Sequence, residues 1–446
     1  MQSEAGLYQS FPRRKGVKFL KIVIIGNGVA GITCAFTARE LDPNAQITVI
    51  SGETDYFFSR TALMYAYMDM MNRRDLEPYE RKTYRQKNIE LIKDWVIDLN
   101  VGKKQVMLEG GGQVSYDALV FAVGASPNMF PWDGIDQINE GLVHFVSMQD
   151  LDECERLTPS TKEAVVIGGG LIGIELVECL LHHKVKTTFL IREPYYWPMA
   201  LGREEGDFVA EHMREHGVDI RLSEEMVQAR SDSQGRVSSI VTSQGNEIPC
   251  QMLGIAAGVR PNISRLKNFA HAPEMGRGII VNEHLQTSIP DIYAAGDCAE
   301  IHPSNGKPYG ELIWYSAKRH GKLVAENILG QQKLYKPPLF FNSSKFFEVE
   351  YTTVGEVNNA PEGTPTIYRK MPGKPVSQRI VHNGEHVIGF NMLGSRWNHE
   401  VLEQWIHQKR SHQYVLEHLH EAQFDVEFGR ATLNTMTTQE IPLTKI

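Results

Sequence analysis

Short apolar runs that end at glycine mark the buried strands of this chain. The run over Lys21–Ile25 is continuous and rich in isoleucine and valine, which is typical of a strand buried on both faces of a parallel sheet. Gly26 closes this run, a helical stretch follows over residues 32–41, and residues 46–50 form a second apolar run. The pattern predicts a strand, a tight turn, a helix and a strand in succession.

The same order of elements returns later in the chain. An apolar run over Glu163–Ile167 leads into the glycines of residues 168–173, a helix is predicted through Leu181, and Lys186–Ile191 is the next strand. Between the two copies, residues 118–125 form another buried strand that ends in glycine. Two copies of one supersecondary unit indicate two nucleotide-binding domains.

The sequence changes in character after about Lys336, where two consecutive prolines indicate a boundary. Strand-like segments follow over residues 346–357 and 375–390, and residues 398–420 are predicted to form a helix. The last part of the chain is therefore expected to be an α+β domain. Its histidines show no convergent spacing of metal ligands, so no metal site is predicted.

Composition and charge narrow the class of protein. The 446 residues allow two or three domains, and 46 basic against 54 acidic residues give a net charge of −8, which argues against nucleic-acid binding driven by charge. No apolar run approaches the roughly 18 residues of a membrane-spanning helix. The cysteines lack the spacings of a disulfide framework, a zinc site or a redox dithiol, so a cytoplasmic location is expected. They are Cys34, Cys154, Cys179, Cys250 and Cys298.

The first glycine turn, residues 26–31, has the features of a phosphate-binding loop. Backbone N–H groups at a helix N-terminus stabilise a phosphate, and glycine lets the phosphate approach closely. Gly26, Gly28 and Gly31 have this arrangement between a predicted strand and a predicted helix. Glu53 follows Gly31 at about the spacing, roughly 20 residues, of an acid that binds the ribose hydroxyls. We therefore expect a dinucleotide here rather than a turn without a ligand.

The second glycine turn, residues 168–173, has an equal context with Gly168, Gly170 and Gly173. Two dinucleotide sites in one chain imply two dinucleotides, and hydride transfer between nicotinamide and flavin is the economical explanation. After the next strand, Arg192 would accommodate the 2′-phosphate of NADPH, whereas an acid such as the adjacent Glu193 favours NADH. The choice of coenzyme is left open here, with Arg192 favouring NADPH.

Five motifs together resemble those of the pyridine nucleotide-disulfide oxidoreductase superfamily of flavoproteins. The resemblance covers about residues 20–330 and follows the order of motifs in that family. The motifs are the first glycine turn, Ala-Val-Gly124-Ala, the second glycine turn with the acid at residue 175, Ala-Ala-Gly258-Val-Arg-Pro, and residues 287–299 with Gly296-Asp297. The resemblance implies that the first turn holds FAD and the second holds NAD(P)H.

The resemblance also implies roles for single side chains. Asp297 is expected to hydrogen-bond the ribityl chain of the flavin, and Glu175 is expected to lie near nicotinamide and flavin. The helix that begins near Trp314 is expected to direct its N-terminal dipole at the flavin pyrimidine ring, where positive potential stabilises the anionic reduced flavin. Trp314 itself either stacks near the flavin or packs in the core.

No cysteine arrangement of the thiol-dependent branches is present. The dithiol branch needs a CxxxxC pair, but Cys34 stands alone in the first helix. The single-cysteine branch, which includes coenzyme A-disulfide reductases and water-forming NADH oxidases, places its thiol just after the second strand, and residues 56–65 contain no cysteine. Glu53 and Arg60 are instead spaced as in ferredoxin, rubredoxin and nitrite reductases, which puts Arg60 against the flavin pyrophosphate. Residues 64–65 are Met-Tyr where many of these reductases have Ser-Lys.

These inferences predict an α/β fold with two Rossmann-like domains, the second inserted in the first, and a C-terminal α+β domain. The expected bounds are 1–140 with 270–335 for FAD binding, 141–269 for NAD(P)H binding, and 336–446 for an interface domain that forms a homodimer. We expect a FAD-dependent NAD(P)H oxidoreductase without an active-site disulfide, whose acceptor is a ferredoxin- or rubredoxin-like carrier protein. The alternatives are an NAD(P)H oxidase or peroxidase, a quinone reductase, and a non-catalytic NAD(P)H-sensing flavoprotein.

Overall fold

The computed structural model describes residues 19–424 and 436–444 of the chain. These residues form two compact units, and each unit takes several segments of the chain. Unit 1 contains residues 19–57, 79–124 and 262–335, and unit 2 contains residues 58–78, 125–261, 336–424 and 436–444. The expected division into three domains has other bounds and stays a prediction, and residues 1–18 of its first domain lie outside the described residues.

The described residues form both helices and strands, and the strands outnumber the helices. The helices are α1 Val29–Leu41, α2 Leu63–Tyr67, α3 Arg81–Gln86, α4 Met148–Leu157, α5 Leu171–His182, α6 Arg203–Glu215, α7 Trp314–Ile328, α8 His399–His407 and α9 His412–His418. The strands up to residue 191 are β1 Lys21–Ile25, β2 Gln46–Ser51, β3 Ile89–Lys93, β4 Val96–Asn100, β5 Gln105–Leu108, β6 Gln113–Ser115, β7 Ala118–Phe121, β8 Ala125–Pro127, β9 Leu142–Val143, β10 Glu163–Ile167 and β11 Lys186–Ile191. The later strands are β12 Asp219–Leu222, β13 Met226–Ser231, β14 Val237–Thr242, β15 Glu247–Pro249, β16 Met252–Ile255, β17 Val259–Pro261, β18 Ile279–Val281, β19 Ile292–Ala294, β20 Ala299–Ile301, β21 Phe341–Phe346, β22 Val349–Gly355, β23 Pro365–Lys370, β24 Ser377–His382, β25 Val387–Leu393 and β26 Thr437–Pro442.

Unit 1 is built on a parallel sheet with the strand order β19-β7-β1-β2-β3. β1 lies at the centre, and its side chains Ile22, Val23 and Ile24 are buried, as the continuous apolar run predicts. α1 packs on β1 and β2, and it begins at Val29, which is earlier than predicted. The predicted succession of strand, turn, helix and strand is confirmed in this unit.

Unit 2 contains a second parallel sheet with the strand order β12-β11-β10-β16-β9. β10, α5 and β11 repeat the arrangement of β1, α1 and β2, because α5 packs on both of its neighbouring strands. The antiparallel sheet β13-β14-β15 buries Ile240 and Ile248 in one core with Val165 of β10 and Leu253 of β16. The predicted second copy of the supersecondary unit is therefore confirmed.

The C-terminal part of unit 2 is an antiparallel sheet with the strand order β21-β22-β25-β24-β23-β26, on which α8 packs. This arrangement confirms the predicted α+β character. The prediction of a single helix over residues 398–420 is wrong, because α8 ends at His407 and α9 begins only at His412. Lys409 takes a left-handed conformation with φ of 52°, and the Arg410 carbonyl accepts the backbone N–H of Val387 at 2.9 Å. Ser411 then begins α9 by accepting the backbone N–H of Tyr414.

The predicted α/β fold class, with two Rossmann-like sheets and a C-terminal α+β part, is confirmed. None of the helices in the described residues is long and apolar enough to cross a membrane. Within residues 19–424 and 436–444, no group of three or more His, Cys, Asp or Glu side chains is arranged to hold a metal ion.

Candidate functional site

The first glycine turn leaves one glycine facing open space. A Cβ atom on Gly26 would lie 2.1 Å from the carbonyl oxygen of Ala122, and one on Gly31 would lie 2.0 Å from the carbonyl oxygen of Gly26. Packing inside unit 1 therefore requires both of these glycines. A Cβ atom on Gly28 would meet no described atom within 4 Å, and Gly28 directly precedes the first residue of α1. The space beside Gly28 lies in front of a helix N-terminus, where a phosphate binds best.

The second glycine turn repeats this geometry in unit 2. A Cβ atom on Gly168 would lie 2.3 Å from the carbonyl oxygen of Ala256, and one on Gly173 would lie 2.1 Å from the carbonyl oxygen of Gly168. Gly170 precedes α5, and a Cβ atom there would again meet no described atom within 4 Å. In both turns the outer glycines are explained by packing, whereas the middle glycine faces open space, and its predicted role in binding a ligand stays a prediction.

A buried asparagine ties the first glycine turn to the loop that carries the predicted ribose acid. The Asn27 side chain is 5% exposed, and its Nδ2 donates to the carbonyl oxygen of Thr54 at 2.8 Å and to Oγ1 of the same residue at 3.2 Å. Glu53 lies in this loop after β2 and is partly buried. The sequence analysis missed Asn27, because a hydrogen bond to a loop 27 residues away has no local signal.

Two further predicted glycines follow parallel strands, and both have a positive φ and accept the backbone N–H of an asparagine. Gly124 follows β7 with φ of +67°, and its carbonyl oxygen accepts the backbone N–H of Asn262 at 2.9 Å. Gly258 follows β16 with φ of +83°, and its carbonyl oxygen accepts the backbone N–H of Asn128 at 3.0 Å. Both glycines therefore occupy the left-handed region that other residues rarely adopt. The partner asparagines were also missed by the sequence analysis.

Gly296 lies against α1 in unit 1, and Trp314 stacks on Phe57 of the same unit. Gly296 has φ of +77°, and a Cβ atom on it would lie 3.0 Å from the Cβ of Ala30 in α1. Asp297 follows and is partly buried. Trp314 is the first residue of α7, and its ring stacks on Phe57 with ring centroids 5.8 Å apart. Core packing thus accounts for one face of Trp314, and its role toward the flavin stays a prediction.

Glu175 is an acid that burial keeps protonated. It lies on α5 in unit 2, and burial, followed by the negative charge of Glu178, raises its pKa to about 8. The Glu178 carboxylate accepts the backbone N–H of Phe347 at 2.9 Å. Phe347 and Glu348 form the tip of the hairpin between β21 and β22, with left-handed φ values of 43° and 66°. The hairpin tip therefore fixes one of the charges that act on Glu175.

The two predicted arginines have partners within unit 2. The Arg60 guanidinium donates to the carbonyl oxygen of Val146 and lies 4.8 Å from the centre of the Phe58 ring. The Arg192 side chain is 73% exposed, and its Nη2 lies 2.9 Å from Oε1 of Glu193. Arg192 therefore lies at the end of β11, as predicted. The roles of Arg60 toward FAD and of Arg192 toward NADPH stay predictions.

All five cysteines are free and buried. Burial raises the pKa of Cys34, Cys250 and Cys298 to about 12. Burial raises the pKa of Cys154 and of Cys179 as well. Since the thiolate is the reactive form, these thiols are unreactive at neutral pH.

The family model described as pyridine nucleotide-disulphide oxidoreductase matches residues 20–321. The chain belongs to this family. The family assignment confirms the predicted cofactors, FAD and NAD(P)H, and the prediction that the protein is an oxidoreductase. The open space beside Gly28 and beside Gly170 fits one dinucleotide in each unit, since each turn offers backbone N–H groups with no side chain in the way.

Relatives within the family carry several names. The chain is 31% identical to an NADH oxidase of Enterococcus faecalis over 328 residues, which cover 71% of this chain and 72% of that protein. It is 26% identical to a nitrite reductase [NAD(P)H] of Bacillus subtilis over 378 residues, which cover 84% of this chain. That match spans only 45% of the nitrite reductase, so the chain corresponds to less than half of the larger enzyme.

The fold is shared with a solved carrier reductase. The structure of putidaredoxin reductase in covalent complex with putidaredoxin superposes with a TM-score of 0.76. The superposition covers 87% of this chain and 93% of that chain, with 24% sequence identity. At this level of identity the similarity demonstrates a common fold for the two chains.

Proposed function

We propose that the protein passes electrons from NAD(P)H through FAD to a small redox carrier protein of the ferredoxin or rubredoxin type. The observation that carries this proposal is the burial of every cysteine in a chain with two open dinucleotide turns. Bound FAD supplies the redox chemistry, because it takes hydride from nicotinamide and releases electrons singly or in pairs. The protein supplies binding, orientation and electrostatics.

In unit 1 we assign the binding of FAD to the residues around α1. The N–H groups that follow Gly28 bind a diphosphate, and Glu53, whose neighbour Thr54 is hydrogen-bonded by Asn27, binds ribose hydroxyls. Asp297 accepts hydrogen bonds from the ribityl hydroxyls. The N-terminus of α7 at Trp314 contributes positive potential toward the flavin pyrimidine.

In unit 2 we assign the binding of NAD(P)H to the residues around α5. The N–H groups after Gly170 bind the coenzyme diphosphate, and Arg192 and Glu193 contact the adenosine ribose. Glu175 is proposed to lie near the nicotinamide. With a pKa of about 8 it is mostly neutral at pH 7, so it does not repel the negatively charged coenzyme.

The buried thiols argue against electron transfer through an active-site thiol. Members that use a disulfide or a single active-site thiol need a thiolate next to the flavin. Cys34 and Cys298 of unit 1 are fully buried, and their pKa of about 12 leaves a negligible thiolate fraction at neutral pH. Electrons must therefore leave the flavin directly. A carrier protein accepts them without any further group from this chain, and the shared fold with putidaredoxin reductase agrees with such a carrier.

An oxidase is the second candidate, because the relative with 31% identity is an NADH oxidase. Anaerobic stopped-flow mixing with NADH and with NADPH, followed by steady-state turnover on a panel of acceptors, separates the candidates. The panel is a [2Fe–2S] ferredoxin, a rubredoxin, dioxygen, hydrogen peroxide and a soluble quinone. We expect kcat/KM for one of the carriers to exceed that for dioxygen by about tenfold or more.

Other outcomes point to other functions. Faster turnover with dioxygen or peroxide than with any carrier supports the oxidase, and faster turnover with quinone supports a quinone reductase. A long-lived complex of reduced flavin and oxidised coenzyme with negligible turnover supports a non-catalytic sensor. We further propose a homodimer in the cytoplasm, which sedimentation of the purified protein and cell fractionation would check.

A further inference from the structure

Three elements of unit 1 meet at Ala30 of α1. A Cβ atom on Gly321 of α7 would lie 2.2 Å from the carbonyl oxygen of Ala30, so α7 lies directly on the backbone of α1. A Cβ atom on Gly296 would lie 3.0 Å from the Cβ of Ala30. The Gly296-Asp297 turn and α7 therefore both lie in close contact with α1 at Ala30.

His320 connects α7 to the Gly296-Asp297 turn. Its side chain is 0% exposed, and its Nδ1 accepts the backbone N–H of Gly296 at 3.2 Å. A backbone N–H can only donate, so Nδ1 carries no proton, and the proton of the neutral imidazole is on Nε2. The hydrogen bond therefore depends on one particular tautomer of His320.

A glutamate and a tyrosine face the other side of the same imidazole. Nε2 of His320 lies 3.3 Å from Oε2 of Glu311, and the Tyr335 hydroxyl donates to that same oxygen at 2.5 Å. The rings of His320 and Tyr335 meet edge to face with centroids 4.4 Å apart. Burial alone would raise the pKa of Glu311, but its contacts with His320 and Tyr335 lower it, so Glu311 stays ionised and favours the proton on Nε2.

We propose that His320 is a positioning residue for FAD, which acts by holding the Gly296-Asp297 turn through a proton-free Nδ1. The Glu311 carboxylate, 3.3 Å from Nε2, favours this tautomer, and the edge-to-face contact with Tyr335 restricts the orientation of the ring. The inference rests on the predicted contact between Asp297 and the ribityl chain. If the turn loses its hydrogen bond to His320, Asp297 loses its fixed position, and FAD is expected to dissociate faster.

Two substitutions of His320 separate positioning from packing. The Oδ1 atom of His320→Asn can accept the Gly296 N–H in place of Nδ1, whereas His320→Leu fills similar space without an acceptor. We expect His320→Leu to weaken FAD binding about tenfold or more, because a buried N–H is left without a partner. We expect His320→Asn to restore most of the affinity.

The measurement is FAD release from the holoenzyme, followed by the rise in flavin fluorescence after dilution. It needs no electron acceptor, so its result is independent of the proposed carrier. Val324→Ala in α7 is the matched control, because Val324 is fully buried in the same core and makes no part of the turn. We expect this control to lower the melting temperature and to leave FAD release unchanged.

The inference is overturned if His320→Leu retains FAD like the wild type, or if His320→Asn releases FAD as fast as His320→Leu. It is also overturned if Val324→Ala releases FAD as fast as His320→Leu at an equal loss of melting temperature. If His320→Leu does not fold, His320→Ala, which also lacks an acceptor for the Gly296 N–H, takes its place, and FAD release from His320→Ala as slow as from the wild type overturns the inference.

Discussion

A carboxyl whose pKa is raised above its ordinary value makes folding depend on pH. The pKa of Glu175 is about 8, against an ordinary value of 4.5. Between these values the folded protein holds a proton that the unfolded chain has lost. The free energy of unfolding therefore falls as the pH rises from about 4.5 to about 8.

We predict that Glu175→Gln removes this loss of stability. Relative to the wild type, the free energy of unfolding of the variant should increase as the pH rises from about 5 to about 8. Urea denaturation at several pH values measures the difference. Glu178→Gln is the matched variant, since the Gln side chain can still accept the Phe347 N–H but carries no charge. Removal of that charge should lower the pKa of Glu175. If the difference in the free energy of unfolding between Glu175→Gln and the wild type did not change with pH, the raised pKa of Glu175 would be contradicted.

A second prediction concerns the surface arginine after β11. Arg192 is exposed and pairs with Glu193, so its removal should not disturb the fold. We predict that Arg192→Ala raises the KM for NADPH about tenfold and changes the KM for NADH by less than about twofold, because only NADPH carries a 2′-phosphate. Steady-state kinetics with both coenzymes measures this. Equal changes in the two KM values would refute a phosphate-binding role for Arg192.

At the scale of elements, the glycine turns divide into structural and ligand-facing positions. We predict that Gly26→Ala fails to fold or is strongly destabilised, since its Cβ would lie 2.1 Å from a carbonyl oxygen. Gly28→Ala should keep the melting temperature of the apoprotein but bind FAD weakly, because its Cβ enters the open space. Gly170→Ala should bind FAD normally and raise the KM for NAD(P)H. Thermal melting and flavin titration distinguish Gly26→Ala from Gly28→Ala, and steady-state kinetics measures the KM of Gly170→Ala. Normal FAD binding by Gly28→Ala would contradict diphosphate binding at the first glycine turn.

The local units of the fold were predictable from sequence because their signals are local. The first glycine turn lies between an apolar run and a helical run, and the order of these residues alone defines the unit. The contacts that complete the site are not local. Asn27 bonds a loop 27 residues away, and His320 bonds Gly296 from a helix that showed no sequence motif for this contact. The break after α8 was also missed, because Lys409 carries no turn signal and the Arg410 contact comes from β25.

At the scale of the whole molecule, a buried arginine joins α6 to the C-terminal sheet within unit 2. Arg379 is 1% exposed, and its guanidinium contacts both oxygens of Glu205 at 2.7 and 2.8 Å, together with Glu204 at 2.5 Å. Glu205 is fully buried. Arg379 and Glu205 are 174 residues apart in the chain, so no sequence pattern indicated their pairing.

We predict that Arg379→Met lowers the free energy of unfolding by about 3–5 kcal/mol, because it leaves a buried carboxylate without its partner. Arg73→Met is the control, since Arg73 pairs with Asp152 and Glu155 at the surface with 41% of its side chain exposed, and its loss should cost less than about 1 kcal/mol. Urea denaturation measures both variants. Equal effects would show that burial does not distinguish the two ion pairs.

The hairpin tip at Phe347 limits how this protein can be recombined with its relatives. Its backbone binds Glu178 of α5, and its carbonyl oxygen accepts Nε2–H of His212 in α6 at 2.8 Å. In a chimera that replaces only the segment with α5 and α6 by that of a relative, the hairpin tip would lose its hydrogen bonds to Glu178 and His212. Exchange of coenzyme specificity by domain grafting should therefore succeed only when β21 and β22 are exchanged together with that segment.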